Sequence, residues 1–470
     1  MHNLSRRPTG RDVDRATSPP RLEPSVFSPF MRSRRARQPR RGSFRFLPGR
    51  AAAVRQSSKS AVASSHSGES LEQRTLLAGT LTVGVEGGVL TLTGDGLANQ
   101  AVATVTGPGI QIVGLNGTTI VSEPGIDLNA APNVFAAVLP PSVEGVVVRM
   151  GGGNDRLRID GGAAPVAGNI TVNMGSGNDA VVARNLRAAG DITVLHGGGL
   201  DRSALLNSAA GDDILARGSD GNDAVSFANV AAGDDVIVRL EGGADGINAA
   251  RVRAGDDISV RTGEGASVGL YSGIAAGDDV LIKGGDSVDQ FTVAGINVGD
   301  DLQLDGEDGN DVIALTGARV ADNTKIEGDG GVDVVAIADD VQANALLDFG
   351  TLATDLATNF GPLGAFTAAI ATAGAGNNAF DDVEVDLDSN NDLLVIAGVN
   401  RFDNLDLDGD GGFDYSLITP GSVWDDIDYD DFELGTPSPL PANFAAVAAN
   451  AIASYQANTA FLFTQLAPLV

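Results

Sequence analysis

From residue 146 onward, apolar and polar positions alternate in short runs that restart every 22 residues. Each run follows a turn. One turn type is glycine-rich and closes on an aspartate, as in Gly151–Asp155 (GGGND), Gly175–Asp179 (GSGND), Gly197–Asp201 and Gly330–Asp333. Two and four residues after that aspartate the chain is apolar: Leu157 and Ile159, Val225 and Phe227, Phe291 and Val293, Ile313 and Leu315. A second turn type reads AGDD, and behind it the alternation begins again with Ile192 and Val194, Val236 and Val238, Ile258 and Val260, Leu302 and Leu304. Period-two alternation marks a strand with one face buried. A further apolar row, Leu186, Val230, Val252, Ile274 and Ile296, predicts a short third strand.

The first-turn aspartates Asp179, Asp201, Asp223, Asp245, Asp289, Asp311 and Asp333 fall on one 22-residue grid. Ser267 takes one grid position, and Asp155 precedes the grid by 24 residues. The second turns place Asp213, Asp235, Asp257, Asp279 and Asp301 on a parallel grid of the same period. Such a repeat cannot bury its apolar row alone, but stacked copies can. The predicted fold is all-β: a parallel β-helix or β-solenoid with a 22-residue coil, right-handed because parallel crossovers strongly favour that hand.

The organisation follows from where the period holds. Residues 79–145 are β-rich without the repeat and read as an N-terminal cap. Residues 146–340 are solenoid. Residues 341–382 lose the period and read as a non-repeat insertion. The period returns over 383–436, where Asp392 and Asp414 are again 22 apart. Residues 437–470 read as a helical cap, because Phe444 to Val470 is rich in alanine and leucine. Its Asn450, Gln456, Asn458 and Gln465 argue against a membrane span.

Composition agrees with a thin, stacked core. The 470 residues include 62 glycines but only 5% aromatic residues, and no cysteine offers a disulfide or thiolate ligand. Charge is segregated. Residues 1–78 carry 16 Lys and Arg against 5 Asp and Glu, whereas the rest carries 15 against 56. The first 78 residues show no strand or helix period and read as a disordered basic segment. The acidic body repels nucleic acid and attracts cations.

Equivalent carboxylates in stacked coils lie about 4.8 Å apart and repel one another. Two readings of the aspartates follow. A Ca²⁺ ion bound among carboxylate and backbone oxygens would turn that repulsion into a staple. Alternatively, each aspartate caps its own turn through a side-chain hydrogen bond. The segment GDGG at Gly409–Gly412 is a further cation candidate, without the downstream glutamate of an EF-hand loop.

Other chemistry is sparse. Positions pointing outward after the first turn are bland, as at Ala180, Val182, Ala224, Ser226, Gln290, Thr292, Val312 and Ala314. His2, His66 and His196 are isolated, with His196 read as a turn residue, and Trp424 is the single tryptophan. Without an outward acid/base cluster the chain reads as non-catalytic; a carbohydrate-active parallel β-helix enzyme is the alternative. Arg217, Arg239, Arg261 and Lys283 are 22 apart and form a stripe about 14 Å long. It reads as neutralisation of nearby aspartates or as a site for an anionic surface polysaccharide.

Two short resemblances add to this. Ser70 to Gly79 (SLEQRTLLAG) resembles the LEPR-XLL motif of planctomycete surface proteins through Leu71, Glu72, Arg74, Leu76 and Leu77, with Gln73 in the usual proline position. That resemblance implies a secreted, cell-surface or periplasmic location. The turns at Gly151–Leu157, Gly175–Val181 and Gly306–Ile313 resemble the nonapeptide repeats of repeats-in-toxin proteins, although each lacks at least one glycine. That resemblance implies Ca²⁺ binding in the turns. Together these readings give an extracellular structural or adhesive solenoid stabilised by Ca²⁺.

Overall fold

The structure is a computed structural model that describes residues 78–106, 109–123, 134–138, 144–162, 165–338, 378–397, 400–412, 414–418 and 422–432. The readings of residues 1–77 as a basic disordered segment and of 437–470 as a helix lie outside them.

The described chain is a parallel β-solenoid of about 11 turns, each of roughly 22 residues. Every coil contributes two strands, and several add a short third one. The first follows the Gly-rich turn, as in Ala224–Ala231, and stacks on Arg202–Ala209 below and Gly246–Arg253 above. The second follows the AGDD turn, as in Val236–Arg239, between Ile214–Arg217 and Ile258–Arg261. The third is a two-residue ladder, clearest at Ala275–Ala276, Asn297–Val298 and Arg319–Val320. The third apolar row lies beside this ladder: Val230 and Val252 close the long first strand, and Ile274 and Ile296 immediately precede the short one. Repeat and register agree throughout: Val225 pairs with Ile247, and Val238 with Val260.

The alternation fills one continuous core. Val225, Phe227, Val230, Val236, Val238 and Leu240 from a single coil are all at most 3% exposed. Aromatic residues pack between neighbouring coils: Tyr271 meets Phe291 edge to face, and Phe380 stacks on Phe402. Burying each large apolar side chain is worth about 1.5–3 kcal/mol, so every coil supplies its own share of the stability.

Two corners explain the composition. The AGDD glycines stack so closely that a Cβ on Gly255 would lie 1.8 Å from the carbonyl oxygen of Gly233. Glycine holds that column from Gly211 through Gly299. The corner six residues past the first-turn aspartate is left-handed in successive coils: Asn185, Asn207, Asn229, Arg251, Gly273, Gly295 and Gly317 all have φ between 51° and 66°. Asparagine and glycine tolerate that conformation best.

The N-terminal region begins the stack rather than merely covering it. Strands β1 (Thr80–Glu86) and β2 (Val89–Thr93) form a hairpin, as do β3 (Gln100–Thr106) and β4 (Gly109–Gly114). β2 stacks in parallel on β7 (Gly145–Arg149), and β3 on β8 (Arg156–Asp160). So β2 and β3 are already a solenoid coil. The antiparallel β1 and β4 lie over its edges, followed by β5 (Thr119–Ser122) on β1 and β6 (Val134–Val138) on β4. Antiparallel cover of this kind occupies edge groups that otherwise recruit another chain.

The non-repeat interval is shorter than the sequence suggests. Asn378–Ala379 is already in register with Asn400–Arg401, so the solenoid resumes within 341–382 rather than at residue 383. Most of that interval lies outside the described residues.

Candidate functional site

The two aspartate grids occupy different environments. In the first, each carboxylate is buried. Asp155, Asp179, Asp201, Asp223, Asp245, Asp289, Asp311, Asp333, Asp392 and Asp414 are 0–4% exposed. Each Oδ1 accepts a hydrogen bond from the backbone N–H of the grid residue one coil earlier. Asp155 N–H donates to Asp179, Asp179 to Asp201, and Asp201 to Asp223, at 2.7–2.9 Å. The series continues through Asp223 to Asp245, Asp289 to Asp311 and Asp311 to Asp333, each at 2.7 Å. The aspartates cap the turn of the adjacent coil, and Asp223 and Asp289 also cap their own, with Oδ2 accepting from Ser219 N–H at 3.1 Å and Gly285 N–H at 2.8 Å. At the degenerate coil, Ser267 N–H donates to Asp289 while its own Oγ turns back to the Gly265 carbonyl.

Asn99 opens this ladder. It is 1% exposed, and its N–H donates to Asp155 Oδ1 at 2.6 Å. The segment Gly94–Asn99 (GDGLAN) is therefore a Gly-rich turn with Asn in the aspartate position, 56 residues before Asp155. Sequence reading missed it because two intervening strand pairs hide the period.

Oδ2 of Asp155, Asp179, Asp201, Asp245, Asp311, Asp333 and Asp392 is buried without a hydrogen-bond partner. Burial is the largest effect on these groups and raises their pKa, to about 6 at Asp179, about 8 at Asp245 and about 9 at Asp311. The carboxylates of neighbouring rungs add to it at Asp245 and Asp311. At Asp245 and Asp311 the carboxyl therefore holds its proton near neutrality, which removes the charge that stacking would otherwise oppose. His196, at the start of the Gly197–Asp201 turn, points into this layer. It is fully buried, with Nε2 2.8 Å from Ser203 Oγ and Nδ1 3.7 Å from Asp223 Oδ2.

The second grid faces solvent. Its ladder runs the opposite way: each N–H donates to Oδ1 one coil earlier. Asp235 N–H donates to Asp213, Asp257 to Asp235, Asp279 to Asp257 and Asp301 to Asp279, all at 3.1 Å. Asp300, Asp301 and Asp322 are exposed, and one carboxylate oxygen from each lies within 4.8 Å of the others. Asp300 has its pKa raised, by desolvation and then by the carboxylates of Asp301, Asp279 and Asp322. A second cluster of the same geometry joins Asp408, Asp410 and Asp431. It includes the predicted Gly409–Gly412 turn, where Asp410 has its pKa raised chiefly by Asp408. Either cluster presents the hard oxygen donors a divalent cation takes. Of the aspartates on the two 22-residue grids only Asp301 belongs to one of these clusters, and Asp410 brings in the predicted Gly409–Gly412 turn.

Past the insertion, the outer face of the second sheet becomes an acidic lattice. Asp382, Glu384 and Asp386 pair in register with Asn404, Asp406 and Asp408, which pair with Asp426, Asp428 and Asp430. Glu384, Asp406 and Asp428 line an open groove of about 600 Å³ together with Lys325 and Gln303. Lys325 bridges Glu327 and Glu384 at 2.9 and 3.0 Å. These outward acids are also 22 apart in the sequence, a signal that was available and unused.

The basic stripe forms as predicted from its spacing. Arg217, Arg239, Arg261 and Lys283 are consecutive register partners on the second sheet. Acidic neighbours accompany it. Arg217 bonds Glu241 at 2.8 Å, and Lys283 bonds Asp305 and Glu307. Arg239 and Arg261 share a shallow groove with Asp220, Glu241 and Glu264.

The bland outward positions of the first sheet are placed differently from the sequence reading. Ala180, Val182, Ala224, Ser226, Gln290, Thr292 and Ala314 do face away from the core, yet all are at most 7% exposed. Alternation identifies which side a residue takes, but not what lies over that side.

No family model, curated protein or solved structure matches the chain. The class that fold and site define is thus the acidic parallel β-solenoid itself. Among the described residues no helix is long and apolar enough to cross a membrane.

Proposed function

We propose that this chain is a non-catalytic structural or adhesive solenoid of the cell surface or periplasm, stabilised by Ca²⁺ held along its exposed acidic ridge. The observation that carries the reading is the cluster of Asp300, Asp301 and Asp322. Its carboxylate oxygens converge within 4.8 Å on a ridge where aspartates recur every 22 residues. Without a cation, that convergence is repulsive; with one, it links adjacent coils. The buried first-turn ladder is a poorer ligand set, because its Oδ1 atoms are engaged by backbone N–H groups. The export assignment rests on the LEPR-XLL resemblance at Ser70 to Gly79.

Thermal melting of the full chain in Ca²⁺ and then in excess chelator tests this. A higher melting temperature in Ca²⁺, lost on Asp300→Asn with Asp322→Asn, supports the reading. Identical melts overturn it.

One observation favours a second reading, a carbohydrate-active β-helix enzyme: the open groove over Glu384, Asp406 and Asp428. Paired carboxylates are the usual machinery of glycoside cleavage. Release of reducing ends from a panel of polysaccharides, abolished by Glu384→Gln or Asp406→Asn, would establish it in place of the first.

A further inference from the structure

The middle of the basic stripe differs from its ends. At one end Arg217 donates to Glu241 through Nε and Nη2, at 3.2 and 2.8 Å. At the other, Lys283 bonds Asp305 and Glu307. Arg239 and Arg261 lie between them on adjacent strands, in register and exposed. Among the described residues neither guanidinium has an ion-pair partner, because Glu241, two residues past Arg239, is engaged by Arg217. Their backbones are about 4.8 Å apart, so two unneutralised cations repel each other across one coil step. An anionic group set between them accepts from both guanidiniums and relieves that repulsion.

The same groove carries the opposite charge. Asp220 and Glu264 line it, both are exposed, and neither carboxylate has a cationic partner among the described residues. With Gly242 they occupy one position of the Gly-rich turn in three successive coils, so a glycine separates the two acids. The backbone does not demand that glycine. A Cβ on Gly242 would meet nothing nearer than 3.6 Å, and the same position holds Ser176, Asp286 and Asp308 in other coils. What the missing side chain leaves is space: a groove of about 430 Å³ over Gly242 and Gly263, with the arginines and the acids on its lining. That volume suits a small molecule.

We infer that this groove binds a small zwitterion, a molecule carrying one carboxylate and one primary ammonium group. The carboxylate lies between Arg239 and Arg261, and the ammonium lies against Glu264 and Asp220. Such a site selects by exclusion as well as by attraction. The acids repel a plain anion that approaches the arginines, and the arginines repel a plain cation that approaches the acids. The site is separate from the Ca²⁺ reading, since neither acidic cluster that could hold a cation includes a residue of this groove.

Isothermal titration of the full chain with glycine, 4-aminobutyrate and 6-aminohexanoate tests this. Saturable binding of at least one of the three at millimolar concentration is expected. The acid and the amine of matching chain length should each bind at least tenfold more weakly. Arg239→Gln with Arg261→Gln, and separately Asp220→Asn with Glu264→Gln, should each weaken binding of the zwitterion at least tenfold. Gly242→Gln fills the groove without changing its charge, and should do the same while the β signal by circular dichroism stays unchanged. Absence of saturable binding for all three zwitterions overturns the inference. So does equal affinity for a zwitterion and its matching acid or amine, or binding that survives Gly242→Gln or either pair of charge substitutions.

Discussion

The backbone N–H of Asp289 donates to Oδ1 of Asp311 at 2.7 Å, while Oδ2 of the same carboxyl is buried with no partner. One oxygen of each first-turn aspartate ties two coils together, and at Asp155, Asp179, Asp201, Asp245, Asp311, Asp333 and Asp392 the other is the place for a proton. Burial raises the pKa of all seven, so these rungs of the interior ladder are most stable when neutral.

Stability should fall as pH rises from 5 to 9. A carboxyl whose pKa is raised by folding binds its proton more tightly in the native chain. Its stabilising effect is complete below the ordinary value of 3.8 and is lost as pH climbs through the folded value, about 8 for Asp245 and about 9 for Asp311. Each pH unit inside that window changes one rung's contribution by up to about 1.4 kcal/mol. Denaturant melts at several pH values check this. Asp311→Asn, neutral at all pH, should flatten the slope between pH 7 and 9.

The two ladders should differ in what they contribute. Asp311→Ala strands the buried N–H of Asp289 and should cost about 1–3 kcal/mol at pH 5. Asp279→Ala removes an exposed acceptor for Asp301 N–H, which water can replace, and should cost less than about 1 kcal/mol. Comparing the two midpoints under one condition decides it.

Glycine columns separate two kinds of constraint. Gly255→Ala drives a Cβ into the Gly233 carbonyl and should cost at least about 2 kcal/mol, because backbone rather than a side chain must move. Gly273→Ala meets nothing closer than 3.7 Å, but its φ is 63°, so only the left-handed penalty of about 1 kcal/mol applies. Chemical denaturation of each variant gives the order.

The basic stripe should not be a glycan site. Glu241 and Glu264 beside Arg239 and Arg261 offset their charge for any polyanion. Arg239→Ala with Arg261→Ala is expected to leave binding to acidic polysaccharides unchanged by affinity electrophoresis; a tenfold loss would restore the stripe as a site.

How much of this was readable beforehand depends on which interactions lie within one coil. The strands, their faces and the three rows follow from period two nested in period 22, because Val225, Phe227 and Val230 each bury the same way in every turn. Interactions between coils were harder to see. Asp179 reads locally as a cap for its own turn, and only register shows that it serves Asp155. Asn99 was hidden by strands inserted after its coil. The left-handed corner was legible, since Asn185, Asn207, Asn229, Gly273, Gly295 and Gly317 keep the period and share tolerance of positive φ. The cover over the first sheet was not, because Ala224 and Ser226 look equally suited to water or to a packed neighbour.

Asp333 N–H still reaches Asp392 Oδ1 at 2.7 Å although 59 residues separate them, 37 more than in an ordinary step. The corner after Val334–Ala338 thus admits a long excursion and returns the chain to its rung without loss of pitch. For an engineer this is a docking port in a molecular ruler. A foreign loop or small domain with closely spaced ends, spliced there, would be carried at a fixed height along the stack, and whole coils added on either side would set that height in steps of about 4.8 Å.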